Sequence, residues 1–127
     1  AEPLAHSGGH LLADQPSFTA WGKLSRDIAG RVSGEHPLLD HMTDVAACFL
    51  ALAKCAAIRR SLERTAGRAL DAVDLQRLAV LVFLHDVGKA NAGFQAKRWF
   101  AASQSVPPGW PAPAGHTHEA LCIFSDE

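Results

Sequence analysis

The chain has 127 residues, a length that fits one domain with a hydrophobic core and excludes a second of comparable size. Apolar residues are 48% of it, led by Ala and Leu, which points to helices; the net charge of −1 excludes a global basic field, so any nucleic-acid contact must be local. No signal peptide is visible, and the apolar runs meet Lys, Arg or Asp well before the roughly 20 residues of a membrane span, so the expectation is a soluble cytoplasmic protein with no membrane partner.

Residues 1–34 read as an irregular opening with one helix starting at Pro16-Ser17 and running through Trp21-Gly22-Lys23. Phe18 and Trp21 are its aromatic anchors, and His6 and His10 sit in Gly-rich, exposed context. A strong helix is predicted after Gly34, with Pro37 in its first turn. Its apolar stripe is Leu38, Met42, Val45, Phe49, Leu52 and Ala56, a spacing of three and four. His41 lies inside that stripe, where a satisfied core histidine is the ordinary reading; flanking Asp40 and Asp44 could orient its ring as a metal ligand requires. His36 reads as structural.

The same helix is expected to fray through Arg59-Arg60-Ser61 and end near Gly67, in a basic stretch that reads as a solvated face or a phosphate contact. Cys48, Cys55 and Cys122 form no CxxC pair; Cys48 and Cys55 are about 10 Å apart along a helix, so buried free thiols are expected. Asp71 and Asp74 are alternative N-caps of the next helix. That helix carries Leu75, Leu78, Ala79, Leu81, Val82, Phe83 and Leu84, is apolar almost all round, and is therefore expected at the centre of the bundle.

It delivers Leu84-His85-Asp86-Val87-Gly88-Lys89. Adjacent helical residues diverge by roughly 100°, so His85 and Asp86 cannot share a face, but both can reach a metal beyond the last turn. Gly88 is expected to supply the positive φ that ends the helix, and Lys89 a fixed cation at the pocket mouth. Taken alone, the hexapeptide fits a metal site and a capped helix end equally well. Phe94 to Phe100 reads as a short amphipathic helix whose aromatics pack the core, with base stacking the other role open to them. Residues 103–115, with Pro107, Pro108, Pro111 and Pro113, form a loop, and His118 opens a last helix.

The candidate ligands are thus His41, His85, Asp86 and His118, carried on separate helices. With Lys89, they resemble the HD superfamily of metal-dependent phosphohydrolases. More narrowly, Trp21-Gly22-Lys23, His36 through Ala47, Phe83 through Asn91 with Phe94-Gln95, and His118-Glu119-Ala120-Leu121 resemble the HD nuclease domain of the type I CRISPR helicase-nuclease. The resemblance implies an all-α HD-domain helical bundle with a metal site at its centre. It implies that His41, His85 and Asp86 hold one metal, that Asp86 bridges to a second held by His118, and that Asp86 and Lys89 act in catalysis, Lys89 beside the scissile phosphate. One or two divalent ions are expected, with Mn, Fe, Co, Ni or Zn favoured over Mg alone by the imidazole ligands. The implied substrate is single-stranded DNA, and the implied partners are the CRISPR RNA-guided surveillance complex and a helicase domain of the parent protein.

Family members carry a further histidine pair and a later acidic ligand, which residues up to Glu127 do not supply, and no ATP-binding Gly-rich loop is present. Residues 1–127 are accordingly expected to be a partial HD-type nuclease domain that by itself holds at most one metal, weakly. Two other readings stand beside it, an HD-type nucleotide phosphohydrolase and a non-catalytic HD docking module.

Overall fold

An antiparallel hairpin opens the fold: β1 (Trp21–Arg26) pairs with β2 (Val32–Pro37), Leu24 lying opposite Glu35 and Ser25 opposite Gly34. The computed structural model describes residues 19–101, 104–118 and 120; His6, His10, Phe18, Cys122 and the helix start at Pro16 lie outside them. Between the strands, the Gly30 N–H donates to the Asp27 carbonyl at 3.0 Å and Gly30 takes φ +78°. This is a three-residue hairpin loop in which a tight turn is followed by a left-handed residue, a conformation that glycine adopts without a Cβ clash. The Asp27 carboxylate accepts from the Ala29 and Arg31 N–H groups, both at 2.9 Å, and from Arg31 Nε at 2.8 Å. The Arg31 backbone N–H, and then its guanidinium, hold that carboxyl below its usual range.

The hairpin corrects the all-α expectation. Among the described residues, four α-helices stand with a two-stranded sheet, and Trp21-Gly22-Lys23 is strand, not the end of a helix. The Asp27 turn closes a pairing between residues that single-residue composition does not reveal.

α1 (Leu38–Leu52) follows β2 directly. Pro37, at its N-cap, has no side chain able to accept, and the Leu38 N–H donates to the Ala20 carbonyl at 2.7 Å, so the strand entry caps the helix. Its buried residues are Leu38 and Met42, each contributing about 1.5–3 kcal/mol by burial. The expected continuation to Gly67 is broken: after Ala53, which is buried, α2 (Ala56–Ala66) sets off at 96° to α1. No glycine or proline marks this corner; it is made by i→i+3 bonds from the Lys54 and Cys55 N–H groups to Ala51 and Leu52. Cys48 and Cys55 are exposed free thiols, contrary to the buried reading. No single described helix is long and apolar enough to cross a membrane.

α2 ends where expected, with Gly67 at φ +68°. Arg59 ties it to the next segment: its Nε meets Glu63 at 2.9 Å and its Nη2 donates to the Leu70 carbonyl. α3 (Ala72–Leu84) begins in a reciprocal cap, the Asp74 N–H donating to Asp71 Oδ1 at 2.8 Å and the Asp71 N–H to Asp74 Oδ2 at 3.1 Å. α3 packs on α1. It is less enclosed than its composition predicts, since of its residues only Ala79 is buried, and Val80 and Leu81 face outward. A 3-10 turn (Val87–Ala90) and α4 (Ala92–Ala101) complete the described elements.

Arg68 grips Asp74 through both terminal nitrogens, at 2.5 and 2.8 Å, and this pairing, with the Asp71 N–H next, holds the Asp74 carboxyl down to about 2. A depressed folded-state pKa stabilises above the unfolded value and is lost as pH falls through the folded one. The stability difference between the wild type and Asp74→Asn, read by urea denaturation followed by circular dichroism, is therefore expected to be full near neutrality and to shrink between about pH 5 and pH 2.

Candidate metal centre

Asp86 sits where α3 gives way to the 3-10 turn. His85 is the C-cap of α3, and Asp86 takes φ −105° and ψ 7°, the sparsely populated region in which many site residues are held. With three residues per turn, positions i and i+3 of a 3-10 helix eclipse one another, which carries Lys89 back over Asp86. Lys89 Nζ lies 2.7 Å from Asp86 Oδ2 and 3.4 Å from His41 Nε2, and donates to the Gly22 carbonyl at 3.2 Å.

Three imidazoles meet the same carboxylate. His41 Nε2 is 3.0 Å and His85 Nε2 3.1 Å from Oδ2, and His116 Nε2 is 3.4 Å from Oδ1. Asp86 is buried, with only 4% of its surface exposed. Burial pushes its carboxyl up, while the Lys89 ammonium foremost, with His85 and His41, pulls it down, and the net displacement is downward. The centre therefore holds an anion enclosed by cationic and potentially cationic groups.

The site is brought together by close approaches that glycines permit. A Cβ on Gly22 would lie 2.7 Å from that of His41, so β1 rests directly on α1 at the histidine. A Cβ on Gly88 would run into the His116 carbonyl and Ala120, and one on Gly93 would meet the Ala114 Cβ at 2.6 Å. Gly88 has no positive φ; its role is to let the segment carrying His116 lie against the turn, which corrects its expected part as a helix-ending residue. Asn91 fastens that segment, its Nδ2 donating to the Gly88 and Gly115 carbonyls while its Oδ1 accepts from the Phe94 N–H at 2.7 Å.

Gln95 locks β1 to the turn. Its side chain is almost wholly buried, and Oε1 accepts from the Trp21 N–H at 3.0 Å. Its Nε2 donates to the carbonyls of Trp21 at 3.0 Å and Lys89 at 2.7 Å, and the Trp21 indole N–H donates to the Gln95 carbonyl at 3.2 Å. Trp21 and Phe94 stack above this link, with ring centroids 4.7 Å apart.

The structure brings together four of the five sequence candidates, His41, His85, Asp86 and Lys89. His118 is exposed, and among the described residues no contact joins it to Asp86; the imidazole that reaches the carboxylate from this segment is that of His116. Asp44 pairs with His36 at 3.0 Å and Asp40 is exposed, so neither performs the orienting role expected at His41. Sequence reading gave no role in the site to Gln95, which it had only within the resembling segment, or to His116, two residues before His118.

The donor set suits a divalent ion. His85 Nδ1 approaches the Val82 carbonyl at 2.5 Å, and a carbonyl only accepts, so Nδ1 carries the proton. In the neutral ring this leaves the Nε2 lone pair facing a carboxylate oxygen, a repulsion that protonation or an intervening cation relieves. A ring fixed in this way through its far nitrogen is characteristic of metal-binding histidines. As they stand, the donors engage Asp86 and Lys89, and among the described residues no three of them are set at ligating geometry.

A His-Asp doublet at a helix end, enclosed by histidines from other segments, defines an HD-type site and points to a hydrolase. The chain belongs to the Cas3 HD-domain family: the family model described as "Cas3, HD domain" matches residues 21–126, beginning at the first residue of β1. No curated protein and no solved structure matches it.

Two substitutions test this construction. Gln95→Leu removes the side-chain partner of the buried Trp21 main chain and of the partly buried Lys89 carbonyl, and is expected to lower the unfolding free energy by about 2–4 kcal/mol in a urea titration. Gly22→Ala is expected to cost about 1–3 kcal/mol through the His41 clash. Gly34→Ala, whose Cβ would find only ordinary contact with Ser25 at 3.7 Å, is the control and should change stability far less.

Proposed function

We propose that this chain is a metal-dependent nuclease domain that hydrolyses phosphodiester bonds of single-stranded DNA in type I CRISPR interference. The observation that carries the reading is the buried Asp86 carboxylate with three imidazole nitrogens and one ammonium within 3.4 Å of it. Membership of the Cas3 HD-domain family supports a nucleic-acid substrate and a CRISPR setting. His41, His85, Asp86 and His116 would hold a divalent ion, with Mn, Fe, Co, Ni or Zn favoured by the imidazole donors. When bound, the ion supplies Lewis acidity toward a phosphoryl oxygen and acidifies water at the reacting phosphorus.

The chain's own groups do the rest. Burial of Asp86 keeps bulk water off its carboxylate and strengthens every electrostatic contact around it. The Val82 carbonyl fixes the His85 tautomer, so that its Nε2 faces the centre unprotonated when the ring is neutral. Lys89 holds an ammonium next to the carboxylate, where it also donates to the Gly22 carbonyl, and is placed to balance the charge that grows on a phosphate as the bond to its leaving oxygen lengthens. In the full assembly we assign the surveillance complex and a helicase domain as the suppliers of the displaced strand.

The test is metal content and cleavage of a single-stranded oligonucleotide, wild type against Asp86→Ala, with Mn, Fe, Co, Ni, Zn and Mg supplied separately. Loss of bound metal and a fall in cleavage of about 100-fold or more, equivalent to roughly 3 kcal/mol of transition-state stabilisation, is the expected result. Hydrolysis of nucleotides without strand cleavage would make the chain a nucleotide phosphohydrolase. A wild type with neither metal nor activity would leave an HD docking fold.

A further inference from the structure

One basic side chain next to the centre has no carboxylate partner among the described residues. Lys97, on α4 and partly buried, places its Nζ 4.6 Å from the centroid of the Phe94 ring. Lys89 Nζ lies 5.8 Å from that same centroid, and the His116 ring stands edge-on to Phe94 at 5.1 Å. Both ammonium groups thus lie within reach of one buried aromatic ring and are no farther apart than the sum of those two distances. The next residue, Arg98, is engaged by Glu35, so Lys97 is the cation of this helix left available beside the site.

We propose that Lys97 binds the phosphate that flanks the scissile one, so that Lys89 and Lys97, both within reach of the Phe94 ring, hold consecutive phosphates of a single polynucleotide strand. This rests on the nuclease reading above and adds to it a second contact with the strand. The ring is suited to the task. Its face draws the ammonium toward it by the cation–π attraction, which positions the charge without neutralising it as a carboxylate would. A phosphate then meets a full positive charge already held in place, and the contact reads the backbone and not the base.

The experiment measures binding of the full chain to fluorescent oligo(dT) in EDTA, where a metal-dependent nuclease does not cut, across a salt series. Lys97→Met keeps the apolar stem over Phe94 and removes the charge, and Lys97→Arg restores the charge. The expected result is a slope of log affinity against log salt that falls in magnitude by about 0.7 in Lys97→Met and returns in Lys97→Arg. A wild-type slope in Lys97→Met, with any change confined to its melting temperature, would overturn the proposal and leave Lys97 a packing residue. Absence of oligonucleotide binding by the wild type would overturn it too. Hydrolysis of bis(p-nitrophenyl) phosphate, a single diester with no flanking phosphate, is followed in parallel for the wild type and Asp86→Ala, with Mn added. Asp86-dependent turnover there keeps the phosphodiesterase chemistry standing when the strand contact fails, and its absence counts against that chemistry alone.

Discussion

The Gln95 amide is the interaction on which the site depends. It pairs with three main-chain groups, the N–H and C=O of Trp21 in the buried core and the partly buried C=O of Lys89. Through Trp21 it holds β1 against α1, so that Gly22 can meet His41 and present its carbonyl to Lys89. Through the Lys89 carbonyl it holds the 3-10 turn, and with it Asp86. An amide is well suited to the position because it donates and accepts at once and carries no charge that burial would penalise.

The electrostatic design is the reverse of this neutral link. Asp86 is a charge in a place where water cannot solvate it, and what keeps it ionised is the Lys89 ammonium, assisted by His85 and His41. The three histidines come from separate parts of the chain: α1, the end of α3, and the segment after the proline-rich loop. Two of them are delivered by contacts that a larger residue would block, Gly22 for His41 and Gly88 with Gly93 for His116. Small residues here decide where large ones stand.

What was legible in the sequence follows from this. Periodicity marked α1 and α3, the Asp71 and Asp74 caps announced the start of α3, and Gly67 marked the end of α2, because these are local signals. The His-Asp doublet and Lys89 were legible as chemistry, since an imidazole beside a carboxylate at a helix end is a metal-donor pair. The 3-10 turn that folds Lys89 back over Asp86 was not legible, because a positive φ at Gly88 was expected in its place. The β1–β2 hairpin was not, because its pairing depends on the Asp27 turn more than on alternating apolar residues, and the helical composition of the rest outweighed it. The corner after Ala53 carries no breaker residue at all. The His116 approach was hidden for a different reason: it depends on where a long proline-rich segment comes back to the turn, and two histidines two residues apart offer no local ground for choosing between them.

The Trp21–Gln95 link also bears on how the centre forms in time. Its partners are separated by 74 residues, so joining the strand to the helix closes a loop that takes in α1, α2 and α3. Closing so long a segment is slow compared with forming α1 or α3, and the closure brings no reward until the amide, the indole and the two rings dock together. The histidine–aspartate centre is in this respect held by a long-range closure and not by local structure. Its opening is tied to the release of the whole hairpin, and the Trp21 amide hydrogen, enclosed by Gln95, becomes a reporter of that collective event and not of local fraying.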